Sequence, residues 1–465
     1  MKNISLAPRS KADGIRPQYS DSQILSEKSF GSVRFMGCRR ASGKNPVRLD
    51  RMVLLIQWPV CSLSALLIAM TASAQQIVNL GTISGYEQPQ PRDMSANGAV
   101  VVGHCYNRTQ DSNTAFRWTA STGMQSLASL PGATDTYAFA VNADGSTTAG
   151  RSWLPTAHAF HAVRWTESGA QDLGLLPGAS AALACDLSAD GSIVVGYCMF
   201  PTGLNRAFKW TSSQGMQDLG TLPGDESSIA YSVSADGTTI VGASGYPNYD
   251  RAWRWTEATG LRQVPGLPTP NGGSSFARAV SADGSIVAGY TDYPGVSLGF
   301  VWSASGGTRG IEESISYPYT YPFAISDGGT TLVGAFGTGS DYRAFIWNAQ
   351  SGVSDLRNYL MARGVNLEAW SALTQATSTS ADGRYVVGIG TVAGAVAAYW
   401  CDTGPAPCLA DLVLADRQVN GADLGALLSQ WGPANQNTTS DINRDGVVNG
   451  ADLGSLLNAW GPCPN

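Results

Sequence analysis

A four-residue signature recurs seven times at an almost constant interval, and nothing else in the chain restricts its fold so tightly. It reads Ser95-Ala-Asn-Gly98, Asn142-Ala-Asp-Gly145, Ser188-Ala-Asp-Gly191, Ser234-Ala-Asp-Gly237, Ser281-Ala-Asp-Gly284, Ser326-Asp-Gly-Gly329 and Ser380-Ala-Asp-Gly383, in steps of 47, 46, 46, 47, 45 and 54 residues. A tryptophan keeps the same beat at Trp118, Trp165, Trp210, Trp255, Trp302, Trp347 and Trp400. Self-similarity at this period marks a repeat architecture, in which each unit buries its apolar faces only against its neighbours.

Each unit has a physical reading. Asp-Gly supplies a turn that tolerates positive φ, and β-branched alternation follows it, as in Ser192-Ile-Val-Val-Gly196. After a variable polar stretch comes a segment such as Ala115-Phe-Arg-Trp-Thr119, with Phe116 and Trp118 on one strand face. The unit closes with Gly215-Met-Gln-Asp-Leu-Gly-Thr-Leu-Pro-Gly224, where Pro and Gly stop the strand. Four short strands per unit predict one blade of a β-propeller. The chain has 54 Gly, 23 Pro and only 14% charged residues, against roughly 25% charged in an average protein, which suits turn-rich β structure. The last copy stops at Trp400 without its closing strand, while Ile77-Val-Asn-Leu-Gly-Thr82 supplies one at the other end. The expected fold is therefore mainly β, a seven-bladed propeller closed by its N-terminal strand. The alternative is an open β-solenoid, whose coils are usually shorter and which would not need a split repeat.

The repeats resemble the bacterial extracellular HAF-repeat family, named for a His-Ala-Phe motif ahead of the tryptophan. Those positions read Thr114-Ala-Phe116, His161-Ala-Val163, Arg206-Ala-Phe208, Arg251-Ala-Trp253, Leu298-Gly-Phe300 and Arg343-Ala-Phe345. Histidine stands only at His161, so it is no shared chemical group, and the resemblance speaks to architecture over residues 77–400 rather than to activity. Two segments depart from the repeat. Tyr317, Tyr319 and Tyr321, interleaved with Pro318 and Pro322, form a tyrosine-proline stretch that reads either as a platform for a sugar ring or partner protein or as an extended strand with rings packed between blades. The segment Val353 to Gly364 reads as a short helix capped by Ser354 and ended by Gly364.

Beyond the linker 402–407 the pattern changes. Two copies of Asn-Gly-Ala-Asp-Leu-Gly-x-Leu-Leu-x-x-Trp-Gly-Pro occupy residues 420–433 and 449–462. Leu424, Leu427, Leu428 and Trp431, and again Leu453, Leu456, Leu457 and Trp460, fall at i, i+3, i+4 and i+7, the spacing of two amphipathic helices. Ahead of the second stand Asp441, Asn443, Asp445, Val447, Asn449 and Asp452 at positions 1, 3, 5, 7, 9 and 12 of an EF-hand-like loop, with Gly446 at the sharp turn. Oxygen side chains and a position-7 carbonyl at that spacing suit calcium. Ahead of the first helix only Asp416, Asn420 and Asp423 keep the pattern, because Leu412 and Leu414 fall at positions 1 and 3. That loop is doubtful as a metal site. The pair of loop-helix units resembles a type I dockerin, and the Gly-Pro-Cys ending looks like the dockerin-like anchors of secreted planctomycete proteins. The resemblance implies a small α-helical, calcium-ordered module over 408–465 that docks to a cohesin-like receptor.

Basic residues, the apolar run Val53 to Met70 and Thr71-Ala-Ser-Ala-Gln75 predict a signal peptide over 52–74, cleaved after Ala74. Residues 1–51 then read as an extension ahead of a true start at Met52, and 75–401 as the propeller. No further segment is long and apolar enough to span a membrane. Residues 75–465 hold 18 Lys or Arg against 31 acids, a balance near −13 that would repel nucleic-acid backbones. Six cysteines remain, Cys105, Cys185, Cys198, Cys401, Cys408 and Cys463, and a bond between the last two would clasp the C-terminal module.

No nucleophile motif or phosphate loop accompanies this framework. Acids such as Asp172, Asp190, Asp218 and Asp236 recur from repeat to repeat, which assigns them to structure, while Asp225, Glu226, Glu312 and Glu313 are unique. The expectation is an extracellular or cell-surface binding protein without enzymatic activity. Its propeller would engage a glycan or protein, and its calcium module a receptor. The alternative is a glycosidase or lyase working in the propeller channel.

Overall fold

The computed structural model describes residues 76–245, 249–269, 272–311, 318–338, 341–404, 412, 418–434, 438, 440–442, 447–458 and 461–462. The predicted leader at 52–74, the residues before it, Cys408, Cys463, Glu312 and Glu313 lie outside them. Within residues 76–404 the chain is a β-propeller of seven four-stranded antiparallel units. Blade 1 runs from Glu87–Met94, its innermost strand, through Val100–Asn107 and Ser112–Thr119 to the outer Gly123–Ser126, and the next five blades repeat that order. Blades 5 and 6 join into one eight-stranded sheet through a single parallel bridge between Ser297 and Tyr319. Blade 7 takes three strands from residues 370–402 and its fourth from Ile77–Asn79, with Val78 opposite Trp400.

The signature turns hold the blades together. In each, glycine sits at positive φ, from +67° at Gly329 to +78° at Gly145. Ser188 Oγ donates to Asp190 Oδ1 (2.6 Å) and accepts from the Ile193 N–H (3.1 Å), and Ser234 and Ser281 do the same in their turns. The second residue of every turn reaches the next blade: Ala96 N donates to Ala143 O, Ala143 to Ala189, Ala189 to Ala235, Ala235 to Ala282, Ala282 to Asp327, Asp327 to Ala381, and Ala381 back to Ala96, all at 2.9–3.1 Å. The seven bonds form a closed circle around the axis.

Between neighbouring blades lie seven apolar cores. Val100, Val102 and Ala115 of blade 1 meet Ala138, Val141, Val163 and Trp165 of blade 2. At the seam, Val387 and Ala398 of blade 7 meet Met94, Val101, Phe116 and Trp118 of blade 1. In blades 1 to 6 the periodic tryptophan therefore fills the interface with the preceding blade, whereas in blade 7 Cys401 takes that place and Trp400 faces blade 1, where its Nε1 donates to Gly98 O (2.9 Å). The alanine of the His-Ala-Phe positions is small because the next blade leans on it: the buried Ala115, Ala207 and Ala252 N–H groups donate to Thr136 Oγ1, Ser228 Oγ and Ser275 Oγ.

The predicted helix is α1, Leu356–Met361, and its cap is Asp355, not Ser354. Residues Gly352–Asp355 form the outer strand of blade 6, so the chain leaves β conformation one residue later than expected, and Asp355 Oδ1 accepts from Asn358 N at 3.1 Å. Cys105, Cys185, Cys198 and Cys401 are free thiols. Among the described residues, none of the four is paired with another. No helix among the described residues is long and apolar enough to cross a membrane.

The C-terminal segment is built from α2, Gly421–Ser429, and α3, Gly450–Asn458. Residues Gln418–Val419 before α2 pair with Gly461–Pro462 after α3, and Gly432–Pro433 after α2 pair with Val447–Val448 before α3, a pseudo-twofold exchange. Val419, Leu427, Val448 and Leu456 make its buried core. Here the i, i+3, i+4, i+7 stripe divides, since Leu428, Trp431 and Leu457 remain 52%, 51% and 52% exposed.

Each Val-Val-Gly glycine is dictated by the innermost strand. A Cβ on Gly150, Gly196, Gly242, Gly289, Gly334 or Gly388 would collide with a carbonyl oxygen of that strand, such as Ile229 O above Gly242. Gly242→Ala is expected to destabilise the propeller by about 1–3 kcal/mol, read as a lower midpoint in chemical denaturation, whereas Gly328→Ala, at a turn position with room for a Cβ and no positive φ, costs less.

Candidate functional site

The carbonyl that excludes a Cβ belongs to a β-bulge, and the bulge builds the site. In every blade the pairing of the innermost strand skips one residue: Ala230 pairs with Gly242 and Ser232 with Val241, leaving Tyr231 as the extra residue. The same slip singles out Arg92, Phe139, Cys185, Arg278, Phe323 and Thr377. A bulge frees one side chain from the ladder and re-aims it. All seven of these residues line the axial channel, a cavity of ≈ 250 Å³. The channel's other end is the hydrogen-bonded circle of turns, lined by six alanines and Asp327.

Positions that build the blades recur from repeat to repeat, yet the bulge position holds Arg, Phe, Cys, Tyr, Arg, Phe and Thr. A position that points into a channel and is free of the framework's demands is where recognition can be written. Around this ring stand the residues after the Val-Val-Gly glycines, including His104, Arg151, Tyr197 and Tyr290. Arg92 lies over Phe139 (5.9 Å), Arg151 over Tyr137 (4.3 Å) and Phe160 (4.1 Å), and Arg278 over Tyr231 (4.2 Å). Crowding by the ring walls, then repulsion from Arg151 and Arg278, holds the Arg92 guanidinium down to about 10, although it keeps contact with solvent along the channel. Burial, followed by Arg92 and Arg151, keeps His104 well below the ordinary histidine range. Burial likewise pushes the Cys185 thiol up to about 12 and raises Tyr197, Tyr231 and Tyr290.

Beside the bulge residues the channel holds two carboxylates, Asp93 and Asp186. Asp93 Oδ2 accepts from Val141 N (2.8 Å) and its Oδ1 from Ser378 Oγ (2.7 Å), tying blade 1 to blades 2 and 7. Asp186 Oδ2 accepts from Val233 N (2.9 Å) and Oδ1 from Leu187 N (2.7 Å). Burial raises both, and with the added repulsion of Asp93 it carries Asp186 to about 7.

The residues singled out from sequence fall elsewhere. Tyr319 and Tyr321 lie in the innermost strand of blade 6, while Tyr317 is outside the described residues. The two rings stack at 6.4 Å, and Tyr321 meets Tyr290 edge-on at 5.0 Å and bonds Ser297 Oγ (3.0 Å), so this stretch packs into the blade beside the channel. Asp190 and Asp236 are held below the usual carboxylate range by the hydroxyls of Ser188 and Ser234 and by the backbone of their own turns. Asp225 is taken by Arg251 (2.6 Å).

In the C-terminal segment both loop ends have one geometry. Asn420 N donates to Asp423 Oδ2 and Asn449 N to Asp452 Oδ2, each 2.9 Å, while Ala422 N and Ala451 N donate to the asparagine oxygens at 2.8 Å. Asp423 Oδ1 also accepts from Leu412 N (2.7 Å), so a backbone N–H occupies the carboxylate that would complete the first loop. In the second, Asp452 is fully buried, Asp441 half-buried, and Val447 O faces the Asn449 amide at 3.0 Å. Asp416, Asn443 and Asp445 are outside the described residues, among which no cluster of three His, Cys, Asp or Glu could hold a metal.

The channel ring escaped sequence reading because it has no consensus to find. A charge three residues before the signature, at Arg92 and Arg278, was the available sign.

No protein-family model and no curated protein sequence matches the chain. Solved structures are similar to it at low identity. TolB from Acinetobacter baumannii is 13% identical over 67% of this chain and 65% of that one, with a TM-score of 0.41, so the chain spans about two thirds of the length of that protein. An oligogalacturonate lyase in complex with manganese is 12% identical over 70% of this chain and 92% of that one, TM-score 0.49. The β-propeller domain of the trilobed protease from Pyrococcus furiosus is 11% identical over 69% and 94%, TM-score 0.47.

Asp186 gives a pH test of the channel. A carboxyl whose folded value, about 7, lies above its unfolded value contributes stability at low pH that is lost as pH rises toward 7. Asp186→Asn is expected to remove that decline, gaining on the order of 2 kcal/mol at pH 8 relative to pH 4.5 after screening by channel water. Thermal unfolding of both proteins at the two pH values measures it.

Proposed function

We propose that this protein is an exported binding protein, its propeller channel holding a glycan or the tip of a protein partner and its C-terminal segment anchoring it through calcium to a surface receptor. The observation that carries the first half is the bulge ring: seven equivalent positions, aimed at one cavity, filled differently while the framework around them repeats. The protonated Cys185 and tyrosines, and a His104 kept neutral, favour holding a ligand over attacking one. The resemblance of the repeats to the HAF-repeat family and the predicted leader support an extracellular or cell-surface setting.

For the second half, the donors in the second loop are all oxygens, and a buried carboxylate at Asp452 with Asp441 at the loop's start fits a hard cation. Asp441, Asn443, Asp445, Asn449, Asp452 and the Val447 carbonyl would hold calcium. The exposed Leu428, Trp431 and Leu457 would give a receptor an apolar surface, in keeping with the resemblance to dockerins.

A polysaccharide-active enzyme is the second reading, and one observation favours it: Asp186, at about 7, lies in the channel with Asp93, where a carboxyl of that strength could exchange a proton with a substrate. Incubation with a panel of polysaccharides separates the two, since retention without shortened or unsaturated products supports binding and product formation that Asp186→Asn abolishes supports the enzyme. Calorimetric titration of the full chain with calcium tests the anchor. Saturable binding lost in Asp441→Ala is expected; wild-type protein that takes up no calcium removes that part of the proposal.

A further inference from the structure

Three guanidinium groups gather at the bulge-ring end of the channel with no acid to answer them. Arg92 and Arg278 are bulge residues of blades 1 and 5 that line the channel, and Arg151 stands beside them on the second strand of blade 2, its guanidinium 5.6 Å from the ring of the bulge residue Phe139. None forms an ion pair with a carboxylate among the described residues, and Arg151 Nε is buried without a hydrogen-bond partner. The two channel carboxylates make no ion pair with them and instead accept from backbone N–H groups and from Ser378. Arg278 bonds Tyr231 and Arg92 meets channel solvent, but like charges crowded together, with the buried Arg151 Nε unfilled, cost free energy. The fold does not require them, since the same bulge accepts Thr377, Cys185 or Phe323 in other blades.

We infer that this end of the channel is an anion site, built to hold the acidic group, carboxylate or sulfate, of a negatively charged glycan. The inference rests on the binding reading above and gives its ligand class. A planar guanidinium matches such oxyanions with two parallel N–H donors, and three converging ones would enclose one group from several sides. The rings of Phe139 and Tyr231, which carry Arg92 and Arg278, also offer flat apolar faces for a sugar. At ≈ 250 Å³ the cavity is below the roughly 300–1,000 Å³ of pockets for drug-sized ligands, so it takes a terminal residue or side branch rather than a stretch of polymer. The repulsion that lowers Arg92 is relieved when an anion enters, which adds to its affinity.

The test uses the full chain and four probes at low salt: an oligogalacturonate, a sulfated oligosaccharide, inorganic sulfate, and a neutral oligosaccharide of similar length. Calorimetry is expected to show binding of an acidic oligosaccharide but not the neutral one, weakened about tenfold or more by Arg92→Gln or Arg278→Gln and unchanged by Arg309→Gln on an exposed outer strand. Which acidic probe binds better identifies the acid, and weak binding of sulfate alone, lost in the same variants, also supports the site. Without ligand, Arg278→Gln should melt no lower than wild type, because it removes a like charge. Neutral and acidic chains bound alike, with no effect of the arginine variants, would overturn the anion site while leaving the binding reading intact. No probe bound, or an Arg278→Gln variant that melts lower yet binds as before, would overturn it too, the latter by making the arginines structural.

Discussion

The circle of seven hydrogen bonds between successive turns is the constraint on which the propeller depends. Each bond is ordinary, from the N–H of one turn's second residue to the carbonyl of the next, and each contributes on the order of 1 kcal/mol. Their effect lies in closure, because the Ala381 N–H finds Ala96 only if every blade has the same width and tilt. The residue that makes the bond is alanine in six of the seven turns, small enough for seven strand ends to converge. The periodic tryptophan and the third-strand alanine then fill the widening wedges between blades farther out.

The bulge ties this framework to the channel. Its glycine is forced by an approaching carbonyl, and the side chain it releases is not constrained by pairing on either side. Rigidity and variability are thus produced by adjacent residues of one strand. A site assembled this way is held by backbone geometry instead of by loops, so its seven side chains start from fixed positions, and the two channel carboxylates reinforce them by clamping neighbouring blades.

Much of this was legible in the sequence for a definite reason. Ser-Ala-Asp-Gly, Val-Val-Gly and the tryptophan answer local demands: positive φ, a missing Cβ and a wedge to be filled. Such demands are the same in every blade and leave a periodic trace. The strand missing after Trp400 and present at Ile77 pointed to the seam for the same reason. The channel left no periodic trace, because the bulge accepts a different residue in each blade. The tyrosine stretch attracted notice by composition, yet Tyr321 is absorbed into an aromatic cluster with Phe276 and Tyr290. Ser354 looked like a helix cap because nothing local shows that the outer strand of blade 6 extends to Asp355. In the C-terminal segment the loop spacing was plain, but the Leu412 N–H against Asp423 could be found only in three dimensions.

The seam between blades 7 and 1 carries a consequence for how the molecule comes into being. Trp400 bonds Gly98 across 302 positions of chain, and Ile77–Asn79 completes a sheet whose other strands are made last. A contact of such sequence separation forms late, since the entropy of closing so long a loop opposes it until the intervening blades exist. The blades therefore assemble as an open arc with one bare edge, and the final step is a latch. Once shut, the latch is more than its three-residue strand, since the Ser378–Asp93, Ala381–Ala96 and Trp400–Gly98 bonds and the core that Val387 and Ala398 share with blade 1 must part together before the ring can open.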